Sequence, residues 1–312
     1  MSTIVIALGG NAIKSAKEEG TNQQQFNNVN QTTKHLAKLI EQGHNLIITH
    51  GNGPQVGNLL LQHDIAKQKV PALPMDVCGA QSQGQIGYMM QQTLDNHLKA
   101  LNIKRIVVTI VTQVEVDPKD QAFKNPTKPV GPFYTQEQAK KIQVNNPEYV
   151  IKQDAGRGYR RLVPSPLPIN NLEIEAVKTL IKACHIVVCS GGGGVPVIKK
   201  NQGYHGVEAV IDKDHAGELL AELVKADIFI ILTDVEKVSL HYNQPNQTNL
   251  DSITVTEAEK YLKQGHFATG SMKPKVTAAI NFIKSGGKQA IITHPFKVLE
   301  ALDKKTGTII TK

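Results

Sequence analysis

The chain has 312 residues, of which 40% are hydrophobic and 20% charged. That balance excludes a disordered tail or a membrane-embedded bundle and allows one large domain or a few smaller ones. The net charge of +8 raises nucleic acid as a partner, but the lysines are scattered, aromatics reach only 4% and tryptophan is absent, so no basic stripe or stacking platform is seen; a solvated basic surface is the first reading and small anionic substrates the second.

The first apolar run, Ile4 to Leu8, stops at Gly9. It is too short for a signal peptide or a membrane span, and a cytoplasmic protein is expected. Phe26, Val29, Leu36, Leu39 and Ile40 then share one helical face, followed by the run Leu46 to Ile48, a helix-like segment from Gly79 to His97, and the run Ile106 to Val111. From Asp117 to Pro168 prolines accumulate, with no strong strand and one plausible helix at Gln136 to Ile142. A structureless loop of that length is improbable in a compact core, so residues 117–168 are expected to form an inserted lobe or lid within a single domain spanning 1–312.

Beyond it come apolar runs at Ile186 to Val188, Val207 to Ile211, Ile228 to Leu232 and Ala290 to Ile292, most of them read as buried parallel strands. Helical faces at Ala216, Leu219, Leu220, Leu223 and Val224, and at Val276, Ala279, Ile280 and Ile283, lie between them. Alternating strand and helix predicts an α/β fold with helices on both faces of a mostly parallel sheet. Cys78, Cys184 and Cys189 have no metal-ligand spacing, and they are expected to be reduced, buried thiols.

Three runs end in glycine clusters: Gly9-Gly10-Asn11, Gly51-Asn52-Gly53 and Gly191 to Gly194. Loops at the carboxyl ends of parallel strands share one sheet edge, and glycine lets backbone N–H groups close around an anion. Neither GxGxxG nor GxxxxGK[ST] is present, which argues against a Rossmann dehydrogenase and a P-loop NTPase. Asp212-Lys213-Asp214 follows another apolar run; taken alone it is either a solvated turn or part of a reaction centre.

The ordered set ALGGNA (7–12), HGNGPQVGNLLLQ (50–62), NPTKPVGPF (125–133), DAGRGYRR (154–161), VPSPLP (163–168), GGGGVPV (191–197), GVEAVIDKD (206–214), ILTDV (231–235) and HFATGSMKPK (266–275) closely resembles the carbamate kinases of the amino acid kinase family. The resemblance runs from Ile4 to about Thr308. It implies a three-layer αβα sandwich, a protruding lid subdomain and a homodimer. The implied reaction is ATP plus carbamate giving ADP plus carbamoyl phosphate, run toward ATP in arginine fermentation through the arginine deiminase pathway. Another amino acid kinase acting on a small carboxylate, or a non-catalytic metabolite sensor, are the competing readings.

The same resemblance places Lys213 and Lys275 beside the transferred phosphoryl group and Asp214 between them, with Asp212 in support. Lys213 is expected to come from another strand and to fill the place of a lysine that relatives often carry before the GG loop. Gly9, Gly10 and Asn11 would hold phosphate, Gly51, Asn52 and Gly53 the carbamate end, and Lys128 and Arg157 the carbamoyl phosphate. Thr233, Asp234 and Val235, with Gly270, Ser271 and Met272, would hold nucleotide. Mg²⁺ would be bound by phosphate oxygens and water, with no protein ligand assigned. Thr269, where proline or alanine is common, and the lack of a glycine soon after Asp234 depart from the pattern around the adenine site.

Overall fold

The computed structural model describes residues 1–15, 17–154 and 158–312, with Asn11 described by its backbone alone. The first part contains β1 (Thr3–Leu8), α1 (Asn22–Glu41), β2 (Asn45–His50), α2 (Gly53–Ala66), α3 (Met75–Ala100), β3 (Val107–Thr109) and β4 (Gln113–Val116). The middle part contains β5 (Lys128–Tyr134), α4 (Gln136–Asn145), β6 (Val150–Gln153), β7 (Tyr159–Val163) and β8 (Pro168–Asn171). Then follow α5 (Ile174–Lys182), β9 (Ile186–Val188), β10 (Val195–Lys200), β11 (Gly203–Gly206), α6 (Lys213–Leu223), β12 (Ile228–Leu232) and a short pair, β13 (Ser239–Leu240) and β14 (Thr248–Asn249). The chain closes with β15 (Ser252–Thr254), α7 (Val255–Lys263), α8 (Met272–Lys284), β16 (Gln289–Thr293), α9 (Val298–Leu302) and β17 (Thr308–Thr311).

The period of two along β1 sets the layers. Ile4, Ile6 and Leu8 pack with Val29, Leu36, Met90 and Leu94 of α1 and α3, whereas Val5 and Ala7 pack with Leu220, Val276 and Ala279 of α6 and α8. An eight-stranded sheet therefore lies between two helical layers, in the order β15-β17-β16-β12-β1-β2-β9-β3. From β16 to β3 the neighbours are parallel, and β17 runs antiparallel to β16. Apolar runs buried on both faces are what such a sheet demands. No described helix is long and apolar enough to cross a membrane.

A second sheet, β11-β10-β4-β8, lies beside the main one, and β5-β7-β6 with α4 form a small lobe. The strands of that lobe are absent from the sequence reading. In β5, Pro129 and Pro132 are tolerated because the strand lies at a sheet edge and its pairing shifts register after Val130, where Gly131 has φ +73°.

Two other expectations are corrected. Val207 to Ile211 forms no strand, because its amides bond individually: Val207 N–H donates to Pro196 O, Ala209 N–H to Val207 O and Val210 N–H to Pro164 O. Its two partners outside the segment, Pro164 and Pro196, offer carbonyls but have no N–H to complete a ladder. Cys184 is exposed, in a left-handed turn after α5 with φ +62°, whereas Cys78 and Cys189 are buried.

Candidate active site

The ends of β1, β2 and β9 are neighbours in the main sheet, so the three glycine clusters meet at one edge. A side chain at Gly51 would come within 3.3 Å of Gly10 N and of Lys213 Cδ. At Gly192 a Cβ would lie 2.1 Å from Asn52 Nδ2, and at Gly193 it would lie 2.3 Å from Ile211 O. Gly192, Gly193 and Gly194 have φ of +68°, +94° and +85°. A left-handed run that closely packed requires glycine.

Asp212 ends the approach to α6 and caps it, its Oδ1 accepting from Asp214 N at 2.9 Å. The cap fixes the first helical residues, Lys213 and Asp214. Lys213 therefore comes from a helix start, which corrects its expected place on a strand, although its side chain does reach the GG and GNG loops.

Asp214 is held by two lysines. Its Oδ1 accepts from Lys213 Nζ at 2.5 Å and its Oδ2 from Lys275 Nζ at 3.1 Å; the side chains of Asp214, Lys213 and Lys275 are 3%, 18% and 11% exposed. Burial pushes the Asp214 carboxyl upward, but the two ammonium groups outweigh that and hold it below the usual carboxylate range. Lys275 sits one turn into α8 and also donates to Ser271 O at 3.3 Å.

Lys128, the first residue of β5, donates to Asp212 Oδ2 at 2.8 Å. Burial again opposes ionisation of Asp212, and Lys128 overcomes it, leaving this carboxyl well below its ordinary value. Lys128 thus reaches the α6 start from the small lobe, with its side chain 36% exposed.

The remaining candidates occupy the same edge. Thr233, Asp234 and Val235 follow β12, the neighbour of β1, and Thr233 N–H donates to Thr293 O at 2.9 Å. Gly270 and Ser271 are exposed immediately before Met272 at the start of α8. Neither Ser271 nor Asn52, the N-cap of α2, caps its helix through a side chain, and the positive partial charge of each helix start favours an anion beside it. Arg157 and the side chain of Asn11 lie outside the described residues.

Several supports were not found from sequence. Asn52 Nδ2 donates to Ser82 Oγ at 2.8 Å, thirty positions away on α3. Ser190, at φ +51°, accepts from Thr49 and Asn171 and donates its N–H to Thr112 Oγ1, which pins the four-glycine loop. His50 is fully buried against Gly191, and burial lowers its imidazole to about 4, so it is neutral and donates through Nδ1 to Gly51 O. Only the local GNG and GGGG patterns could have hinted at these partners.

Among the described residues no three His, Cys, Asp or Glu side chains gather as a metal cluster. Asp212 and Asp214 are both engaged with lysines. This donor set fits a divalent ion only if phosphate and water supply its ligands.

A family model described as the amino acid kinase family matches residues 2–294. A carbamate kinase of Pyrococcus horikoshii is 54% identical over 310 residues, covering 99% of this chain and 98% of that protein. Carbamate kinase 2 of Enterococcus faecalis is 48% identical over 313 residues, with 100% and 99% covered. The structure of carbamate kinase from Giardia lamblia bound to AMP-PNP matches with a TM-score of 0.95 at 48% identity, covering 100% of this chain and 98% of that one. The chain belongs to the amino acid kinase family and, within it, to the carbamate kinases.

Proposed function

We propose that this site transfers a phosphoryl group reversibly between carbamoyl phosphate and ADP, giving carbamate and ATP. The observation that carries the reading is the convergence of Lys213 and Lys275 on the buried Asp214 at the glycine-loop edge. Phosphoryl transfer asks a protein chiefly to align donor and acceptor and to stabilise charge on the moving group.

In the proposed reaction an ADP β-phosphate oxygen attacks phosphorus and the bond to the carbamate oxygen breaks. Lys213 and Lys275 flank the transferred group, and Asp214 keeps two like charges close together and ionised. One unit charge about 4 Å away at an effective dielectric near 20 contributes roughly 4 kcal/mol. Gly9, Gly10 and Asn11 present backbone N–H groups to phosphate, and Gly51, Asn52 and Gly53 receive the carbamate end. Lys128 and Arg157 bind carbamoyl phosphate from the lobe at 117–168, which acts as a lid. Thr233 to Val235 and Gly270 to Met272 hold the nucleotide. Mg²⁺ on the nucleotide phosphates would neutralise further charge.

A homodimer belongs to the same proposal. The apolar stripe of α3 faces the core through Ile86, Met90 and Leu94, leaving Val77 and Tyr88 as its exposed large apolar side chains, so contact through α3 would centre on them. We place the enzyme in the cytoplasm, drawing carbamoyl phosphate from arginine breakdown. Purified protein with ADP, magnesium and carbamoyl phosphate should form ATP well above the uncatalysed background; folded protein that forms none refutes the reading.

A further inference from the structure

Residues 207–212 form a strap with two faces. Val207 and Ile211 pack with Val114, Val116 and Ala216 beside the second sheet. Glu208, Val210 and Asp212 turn to the small lobe. Glu208 accepts from Arg161 at 2.5 Å, Val210 N–H donates to Pro164 O at 2.9 Å while its side chain packs with Val130, Val163 and Met75, and Asp212 accepts from Lys128. The next two residues are Lys213 and Asp214. One short segment therefore touches the lobe three times and then becomes the helix start that carries the lysine centre.

We infer that Asp212 is a positioning residue: one carboxylate oxygen fixes the start of α6 and the other holds Lys128 in register with Lys213, so the strap ties the lobe to the lysine centre. This rests on the phosphoryl-transfer reading above. An ammonium group has three donors, so Lys128 can keep its bond to Asp212 and still offer two to a substrate oxygen. Ordering a free lysine costs conformational entropy, and with Asp212 present the substrate does not have to supply that cost on binding.

The test is a double-mutant cycle with Asp212→Asn and Lys128→Ala, assayed with ADP, magnesium and carbamoyl phosphate. Asparagine keeps a carbonyl oxygen for the cap and removes the charge that holds Lys128. With Lys128 present, Asp212→Asn should raise the carbamoyl phosphate KM about tenfold and change the ADP KM by less than about twofold. In the Lys128→Ala background the same substitution should add less than about twofold. A lowered carbamoyl phosphate KM, an equal rise in the ADP KM, or an undiminished effect without Lys128 would overturn the assignment.

Hydrogen exchange separates this inference from the proposed function. If the wild-type protein makes no ATP, the functional reading fails, but Asp212→Asn should still speed amide exchange in β5 and β7 while leaving β1 protected. Unchanged exchange in β5 and β7 would refute the tie between strap and lobe.

Discussion

The lysine centre and the small lobe both present positive charge to the same edge, but they hold it differently. At the centre both oxygens of Asp214 are occupied, and the lysines stand on α6 and α8, which are anchored by Leu220, Ala221, Val276 and Ala279 against the main sheet. The lobe rests on a small cluster around Met75, Val130 and Val163, and a cavity of about 470 Å³ separates it from parts of α2. Its charges are held by Asp212, Glu208 and Asp154, with Arg161 stacked 3.6 Å over Tyr149. Preorganised charge contributes most where nothing must move, whereas an element that admits substrate must be able to open. On the proposed reading, fixed transfer chemistry and adjustable substrate capture are divided between the two regions.

Breaking the centre should have the largest effect. Asp214→Ala leaves two largely buried lysines facing each other without a carboxylate, and should cost about 3 to 5 kcal/mol of stability in urea unfolding as well as turnover. An unchanged midpoint would mean that the pair is not held as the contacts imply. In the lobe, Lys128→Ala should raise the carbamoyl phosphate KM roughly ten- to a hundredfold with little change in the ADP KM. If only the ADP KM moves, Lys128 serves the nucleotide.

The smallest effect sharpens the contrast from within α6. Burial, with Glu222 nearby, pushes the Glu218 carboxyl up to about 7 from its ordinary 4.5. Below about pH 4.5 both folded and unfolded forms are protonated and nothing is lost. Between about pH 4.5 and 7 the unfolded chain releases this proton while the folded protein keeps it, so stability falls across that window and levels off above it. Glu218→Gln should therefore stabilise the protein by about 1 to 3 kcal/mol at pH 8 and leave it unchanged at pH 4, as read by thermal melts; the lower figure reflects its partial exposure.

What could be read from sequence follows the same division. Strands β1, β2, β9 and β12 are buried on both faces, so each appears as an unbroken apolar run, and the glycine loops after the first three are visible for the same reason. The lobe strands are half-solvated, carry Pro129, Pro132, Arg160 and Arg161, and match neither period clearly. Val207 to Ile211 is apolar enough to pass for a strand, yet hydrophobicity does not tell whether a partner has N–H groups to offer, and Pro164 and Pro196, whose carbonyls accept from it, do not. Ser82 behind Asn52 and Asn171 behind Ser190 are brought in by folding from distant helices and strands. Asp212 shows the limit most clearly: its cap is a local pattern, whereas its bond to Lys128 joins residues eighty-four positions apart.

The most direct test of a lysine-centred transfer is ATP formation by Lys213→Ala under saturating ADP and carbamoyl phosphate. Loss of a charge worth about 4 kcal/mol in the transition state should lower kcat about a thousandfold while the ADP KM stays within about threefold. A kcat equal to that of the unaltered protein would contradict it.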